Sequence, residues 1–222
     1  MMLDIICLYH GNAYDIEYVK NLANGVHRNL KEEYRFTIFT DRKDQQEELC
    51  QFGNVVLMPQ FNFNRAWWNK MWLFSKESGL SGKVLYFDLD VILLNTIDKF
   101  IPMGDSLRII HDFNRSNVGL HFQGSNSSIM SWDHEQFRYL WDRFKANMTN
   151  YTRRMRGDQD FIQLNVPNKL WYPDNWAISY KWEYLKRKLY NEVETSVLVF
   201  HGKPKQTEIN DKKLLDIWRF GV

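Results

Sequence analysis

Two acids, Asp88 and Asp90, sit inside a run that is otherwise apolar. Val84-Leu85-Tyr86-Phe87 precedes them, Leu89 separates them and Val91-Ile92-Leu93-Leu94 follows. The four residues before Asp88 read as a buried strand, which places the carboxylates where a strand ends inside the protein rather than on a solvated loop. Side chains alternate along an extended chain, so Asp88 and Asp90 share one side while Leu89 packs on the other. Two carboxylates held this close repel each other unless a cation lies between them. Oxygen ligands of this kind suit Mg²⁺ or Mn²⁺. The carboxyl ends of strands in an open α/β sheet are also where ligands bind.

The residues before this triplet supply a sheet. Leu3 to Tyr9 reads as a short buried strand, and Tyr14 to Leu30 carries Val19, Leu22, Val26 and Leu30 at helical spacing. Arg35 to Phe39 alternates as a second strand, Gln45 to Phe52 reads as helix stopped by Gly53, and Val55 to Leu57 as a third strand. Asn64 is placed to cap a helix carrying Trp67, Met71 and Phe74 that ends near Gly79. Strand and helix alternate, the pattern of a parallel sheet covered on both faces.

After residue 100 the texture changes to short strands and loops. Asp133 and Gln136 form a capping-box pattern before a helix with Phe137, Leu140, Trp141 and Phe144 on its apolar face. Val197 to Phe200 is a late buried strand, and a closing helix runs from Asp211 to Trp218. The 222 residues contain no repeat and no Gly/Ser linker, so the expectation is one domain in two halves, 1–95 ending near the acidic triplet and 96–222 more irregular.

Composition narrows the partners. Lys and Arg total 29 against 27 for Asp and Glu, a net charge of +2, which argues against a dedicated nucleic-acid binder. Two cysteines, Cys7 and Cys50, make neither a disulfide scaffold nor a four-thiolate zinc site. No apolar stretch approaches the ~20 residues of a membrane helix, and the opening residues lack a basic region followed by an apolar signal core. A cytoplasmic location is expected, with peripheral membrane contact as the furthest excursion.

His201 follows the apolar run Val197 to Phe200 and is itself followed by Gly202, Lys203, Pro204 and Lys205. A histidine at a strand end beside a glycine and two cations suits a phosphate. Metal held by Asp90 and His201, with Lys203 beside it, would grip a diphosphate and neutralise it as a leaving group.

With these residues in view the chain resembles the GT-A glycosyltransferases, most nearly glycosyltransferase family 8. Leu8-Tyr9-His10-Gly11-Asn12-Ala13-Tyr14 resembles the family's first strand and uridine-contacting loop, and Trp68-Asn69-Lys70-Met71-Trp72 the segment whose lysine approaches the donor. The block around Asp88-Leu89-Asp90 resembles the metal-binding Asp-x-Asp motif, and Asn126-Ser127-Ser128 stands where the family has Asn-Ser-Gly. Gly157-Asp158-Gln159-Asp160 resembles the segment beside the transferred sugar, and His201-Gly202-Lys203-Pro204 the C-terminal metal and diphosphate block.

The resemblance implies a single GT-A domain, a Rossmann-like α/β fold with a mixed, mostly parallel central sheet and helices on both faces. It implies transfer of a hexose from a nucleotide-diphosphate sugar, a UDP-hexose by the residues around Tyr14, to a glycan or other hydroxyl acceptor. Mn²⁺ or Mg²⁺ would be held by Asp88, Asp90 and His201. The donor would be contacted by Leu8, His10, Tyr14, Lys70, Asp88, Leu89, Gly202 and Lys203, with Tyr14 stacked on the base. Asp158, Gln159 and Asp160 would lie beside the reacting sugar, Asp158 or Asp160 acting as a base or supporting the leaving sugar.

Two departures stand out. The family spaces its histidine, glycine and lysine more widely than His201-Gly202-Lys203 does, and Ser128 replaces a glycine. Two other readings stay open. A haloacid-dehalogenase-type phosphatase would use Asp88 as nucleophile and Asp90 as general acid, although that motif belongs on a first strand. A GT-A-like module could bind a glycan or nucleotide without transfer. Among the aromatics, Trp67, Trp72 and Trp141 are expected in the core, and Trp171, Tyr172, Trp176 and Trp182 are either core or platforms for sugar rings. The run Arg153-Arg154-Met155-Arg156 reads as a solvated loop or as a surface for an anionic acceptor or the donor phosphates.

Overall fold

The computed structural model describes residues 2–119, 121 and 123–222. The strands are β1 (Leu3–Tyr9), β2 (Tyr34–Thr40), β3 (Asn54–Leu57), β4 (Lys83–Phe87), β5 (Val91–Leu93), β6 (Arg108–His111), β7 (Ser125–Asp133), β8 (Leu170–Trp171), β9 (Ala177–Ser179) and β10 (Val197–Val199). The α-helices are α1 (Ile16–Asn29), α2 (Gln46–Leu49), α3 (Arg115–Val118), α4 (His134–Phe137), α5 (Tyr139–Ala146), α6 (Met148–Arg154), α7 (Asp158–Asn165) and α8 (Lys212–Phe220).

Seven strands form the central sheet in the order β3-β2-β1-β4-β7-β6-β8, and β5-β10-β9 form a second, smaller one. The strands of the large sheet run in one direction except β7, which is antiparallel to both β4 and β6. Strand alternation fills both faces. Ile5, Cys7 and Tyr9 of β1 join one apolar cluster with Val19, Leu22 and Val26 of α1 and Trp218 of α8. Ile6 and Leu8 join the other with Trp68, Met71, Phe144 of α5 and Phe161 of α7. Each fully buried aliphatic or phenyl side chain of this kind contributes about 1.5–3 kcal/mol.

The two sheets meet at the acidic triplet. β4 ends at Phe87 and β5 begins at Val91, so Asp88-Leu89-Asp90 is the crossing between them. Asp88 N donates to Ser128 O of β7 at 2.8 Å, and Phe200 N, just past β10, donates to Asp90 O at 2.8 Å. β10 is antiparallel to β5 and parallel to β9, with Val199 opposite both Val91 and Ser179. The start of β5 and the ends of β9 and β10 therefore share one edge.

Two local expectations change. Ala66–Phe74 is a 3₁₀ helix rather than an α-helix, and Asn64 does not cap it but donates to Thr152 O at 3.3 Å. Every residue from Trp68 to Phe74 is buried, so the segment has no exposed stripe to set an α-helical period. At three residues per turn, side chains at i and i+3 eclipse, which aligns Trp67 with Lys70. The capping box at Asp133 also fails: its side chain caps nothing, and Glu135 instead accepts from Gly82 N at 2.8 Å while the helix divides into α4 and α5.

Candidate active site

The carboxyl edge of the sheets gathers most of the residues singled out in the sequence. Lys70, brought in by the 3₁₀ segment, is buried, and its Nζ lies 2.8 Å from Asp88 Oδ1 and 3.9 Å from Asp158 Oδ2. It also donates to Ser127 O at 3.2 Å and Ser127 Oγ at 3.1 Å on β7. Tyr86 OH donates to Asp88 Oδ1 at 2.5 Å. Burial pushes the Asp88 carboxyl up, but the Lys70 charge and the hydrogen bonds from Lys70, Tyr86 and Ser128 outweigh it and hold Asp88 below its ordinary value. Burial favours a neutral Lys70, yet the Asp88 and Asp158 charges keep it firmly ammonium.

Asp158 is 2% exposed at the first position of α7. Its carboxyl is pushed up by burial against the pull of Lys70, and its Oδ2 has no hydrogen-bond partner. A cavity of about 270 Å³ is lined by this residue with Trp67, Lys70, Asp88, Ser127, Ser128, Arg156, Gly157 and Gln159. Asp160 behaves differently. Arg156 grips it through Nε at 3.1 Å and Nη2 at 3.0 Å, so of the two acids in this segment Asp158 meets the cavity and Asp160 is spent on an ion pair.

Trp67 corrects a sequence expectation. It is 47% exposed and not in the core, unlike the buried Trp72 and Trp141. Its Nε1 donates to Arg156 O at 2.9 Å, and Arg65 lies 5.7 Å from its ring centroid. A Cβ on Gly157 would stand 2.6 Å from Trp67 Nε1, so this glycine lets the indole lie against the backbone. Of the aromatics offered as sugar platforms, Tyr172 is core, its OH donating to Phe100 O at 2.7 Å. Trp171 stacks on His111, and Trp182 carries Lys186 4.1 Å from its centroid.

A second group surrounds Asp90. Tyr14 OH and Lys205 Nζ donate to Asp90 Oδ2 at 2.9 and 2.6 Å, and Lys205 Nζ also donates to Tyr14 OH at 2.7 Å. Burial and the neighbouring Asp88 charge push the Asp90 carboxyl up despite Lys205 and Tyr14. The Tyr14 ring has Tyr18 at 4.9 Å and the Lys205 ammonium 4.9 Å from its centroid, so its surroundings are those of a hydrogen-bonding residue packed in place. His10 Nδ1 lies 3.3 Å from Asn69 Nδ2 and ties β1 to the 3₁₀ segment. Leu8 and Leu89 pack in the core and offer only backbone, and the Leu89 carbonyl already accepts from Gln206 Nε2 at 3.3 Å.

His201, just past β10, stacks on Phe113 and has Nε2 2.7 Å from Ser179 Oγ. Burial, with Lys181 and Lys205 nearby, lowers its pKa to about 4, so the imidazole is neutral. Gly202 has φ +76°, and a Cβ there would lie 3.3 Å from Lys181 Nζ. Lys203 is 77% exposed on its side chain and pairs with Glu208, so the lysine of this block that reaches Asp90 is Lys205. Lys181 was missed altogether in the sequence. Its signal is a lysine two residues past a buried strand end.

The donor set does not fit a three-ligand divalent site as assembled. Both Asp88 oxygens and Asp90 Oδ2 accept from Lys70, Tyr86, Tyr14 or Lys205, and His201 Nε2 is turned to Ser179. Among the described residues no group of three His, Cys, Asp or Glu side chains converges to hold a metal ion. A larger cavity of about 490 Å³, lined by Ile110, Phe113, Tyr172 and Ile178, carries Arg115 and Asp174 at 3.5 Å but none of these carboxylate and lysine pairs. Lys70, Asp88 and Asp158 line the smaller one.

The chain matches no protein-family model and no curated protein sequence. Solved structures do resemble it. An active-site glutamine-to-glutamate mutant of LgtC is 12% identical, with 91% of this chain and 88% of that one covered and a TM-score of 0.69. The apo form of the glycosyltransferase GlyE of Streptococcus pneumoniae TIGR4 is 12% identical over 98% of this chain, with a TM-score of 0.70. The bifunctional glycosyltransferase WbbM in its apo form is 11% identical over 92% of this chain, with a TM-score of 0.61. The chain spans 59% of the GlyE chain and 46% of the WbbM chain. At these identities the likeness establishes the fold, which is of GT-A type.

Proposed function

We propose that the chain is a glycosyltransferase that takes a hexose from a nucleoside diphosphate sugar and passes it to a hydroxyl acceptor. The observation that carries this reading is Asp158, a buried carboxylate whose Oδ2 faces the Lys70 ammonium at 3.9 Å but accepts no hydrogen bond, in the lining of a cavity shared with Lys70, Asp88 and Gln159. The transferred sugar belongs in that cavity. As the diphosphate leaves, the sugar's reactive carbon gains positive charge, and a fixed carboxylate stabilises that charge more in the transition state than in the ground state. Lys70 keeps Asp88 and Asp158 together against their mutual repulsion. The diphosphate belongs beside Lys205, Lys181 and Gly202, and the base toward His10 and Tyr14. Phe113 stacks on His201 and walls the larger cavity, which supports that cavity as the acceptor's seat.

Uridine diphosphate is the first nucleotide to test, on the resemblance around Tyr14. The Mn²⁺ or Mg²⁺ expected between Asp88, Asp90 and His201 conflicts with the side chains now paired there. The test is a thermal-shift titration with uridine and guanosine diphosphates, followed by product detection with a panel of their sugars. A ligand at 100 times its dissociation constant adds about 2.7 kcal/mol of stability. Failure of every nucleotide to shift the melt, with and without Mn²⁺, contradicts the reading.

A further inference from the structure

We propose that Lys205 is the built-in cation that meets the donor diphosphate, and that nucleotide binding and turnover need no divalent metal. The inference rests on the glycosyltransferase reading above. Its observation is that Asp90 already holds an ammonium, that of Lys205. Lys205 Nζ lies 2.6 Å from Asp90 Oδ2 and 2.7 Å from Tyr14 OH, so two acceptors fix it. A divalent ion on Asp90 would sit against this positive charge and would have to displace it.

The chain around Lys205 is arranged to keep it there. Lys205 N donates to Glu208 Oε2 at 2.7 Å, and Glu208 also takes the Lys203 ammonium. Lys203 is thereby drawn outward while Lys205 points in. Lys181 approaches from the end of β9, close enough to Gly202 that a Cβ there would lie 3.3 Å from its Nζ. Both ammoniums flank a His201 that burial keeps neutral. Of the carboxylates near the sheet edge, Asp88 and Asp158 belong to Lys70, leaving Asp90 to Lys205. Lys205 and Lys181 are the ammoniums on this side of the site, and a diphosphate suits charge-assisted hydrogen bonds from lysine.

In the transfer step the bond from the sugar's reactive carbon to the diphosphate oxygen breaks, and its electron pair stays on that oxygen. Lys205 and Lys181 stabilise the new charge. The acceptor oxygen forms the new bond to the sugar carbon and its proton passes to the departing diphosphate. With water as acceptor the same step is hydrolysis of the donor.

The experiment is calorimetric titration of the full chain with uridine and guanosine diphosphates, in EDTA and in Mn²⁺, for wild type, Lys205→Met and Lys205→Arg. Hydrolysis of the matching nucleotide sugar is followed in parallel, and melts without nucleotide check folding. Wild type is expected to bind and turn over in EDTA within about threefold of its behaviour in Mn²⁺. Losing a charged hydrogen-bond partner, Lys205→Met should bind about 10–100-fold more weakly in EDTA, and Lys205→Arg should recover part of that loss. Nucleotide binding by wild type that collapses in EDTA overturns the inference while leaving the glycosyltransferase reading intact. So does undiminished binding by a folded Lys205→Met. Absence of binding in both conditions sinks the glycosyltransferase reading and this inference with it.

Discussion

Lys70 Nζ lies 2.8 Å from Asp88 Oδ1 inside the protein, with Asp158 Oδ2 3.9 Å away on its other side. One ammonium thus serves the half-buried Asp88 just past β4 and the buried Asp158 of α7. Lys70→Met keeps much of the stem but leaves both acids without their counter-charge, and breaking a buried pair from one side costs about 3–5 kcal/mol. Thermal melts should show a large drop, partly recovered when Asp88→Asn is added. A melt unchanged by Lys70→Met would mean that the ammonium is not what holds this wall together.

Asp158 should cost the protein stability that its function requires. Its carboxyl is raised above an ordinary value of 3.8, first by burial, with Lys70 pulling the other way. A group raised in this way holds its proton more tightly folded than unfolded. Its stabilising contribution is present at low pH and is lost as pH rises from that ordinary value through the raised one. Asp158→Asn does not titrate, so its melting temperature relative to wild type should climb over that window and stay higher at neutral pH. Parallel melting curves for the two proteins across pH would contradict this.

Gly157 is extended, so its backbone would accept any residue, and the constraint is the indole of Trp67. In Gly157→Ala the new methyl displaces the ring from the cavity wall. A displacement near 1 Å at a reacting site can cost about 10²-fold, so turnover should fall by roughly that order while the melt moves little. Trp67→Ala should reproduce the loss. If Gly157→Ala retains full turnover, the indole is a surface feature with no part in binding.

Asp160 provides the internal control. Its pair with Arg156 is a partly exposed i,i+4 contact, worth about 0.3–0.5 kcal/mol. Asp160→Asn should leave turnover within a few-fold of wild type and barely move the melt, both followed in the same assays as Asp158→Asn. Equal losses from both variants would remove the distinction between the two acids.

Much of the architecture was legible because its signals were local. Continuous apolar runs located β1 and β4, alternation located β2, and the apolar strand followed by Asp88-Leu89-Asp90 located the edge where the sheets meet. What escaped depended on partners distant in sequence. Nothing near Trp67 says that Arg156 and Gly157 hold it outside the core, and the 3₁₀ period of its segment breaks the α-helical spacing that puts it with Met71 and Phe74. The order His201-Gly202-Lys203 points to Lys203, but Glu208 draws Lys203 away and Lys205 reaches Asp90. Asp158 and Asp160 look alike as residues, and only the reach of Arg156 separates them. The gathering of His201 with Asp88 and Asp90 depended on which way an imidazole turns, a choice made by Ser179 and Phe113.

The most direct test of the central claim is hydrolysis of a bound nucleoside diphosphate sugar at saturation by wild type and Asp158→Asn, with donor affinity measured separately by calorimetry. Losing one such electrostatic contribution should slow turnover by about 10²–10³, with donor affinity nearly constant because the nucleotide and diphosphate are held by other residues. An Asp158→Asn protein that turns over at the wild-type rate, or one that loses donor binding while turnover at saturation stays intact, would contradict the account.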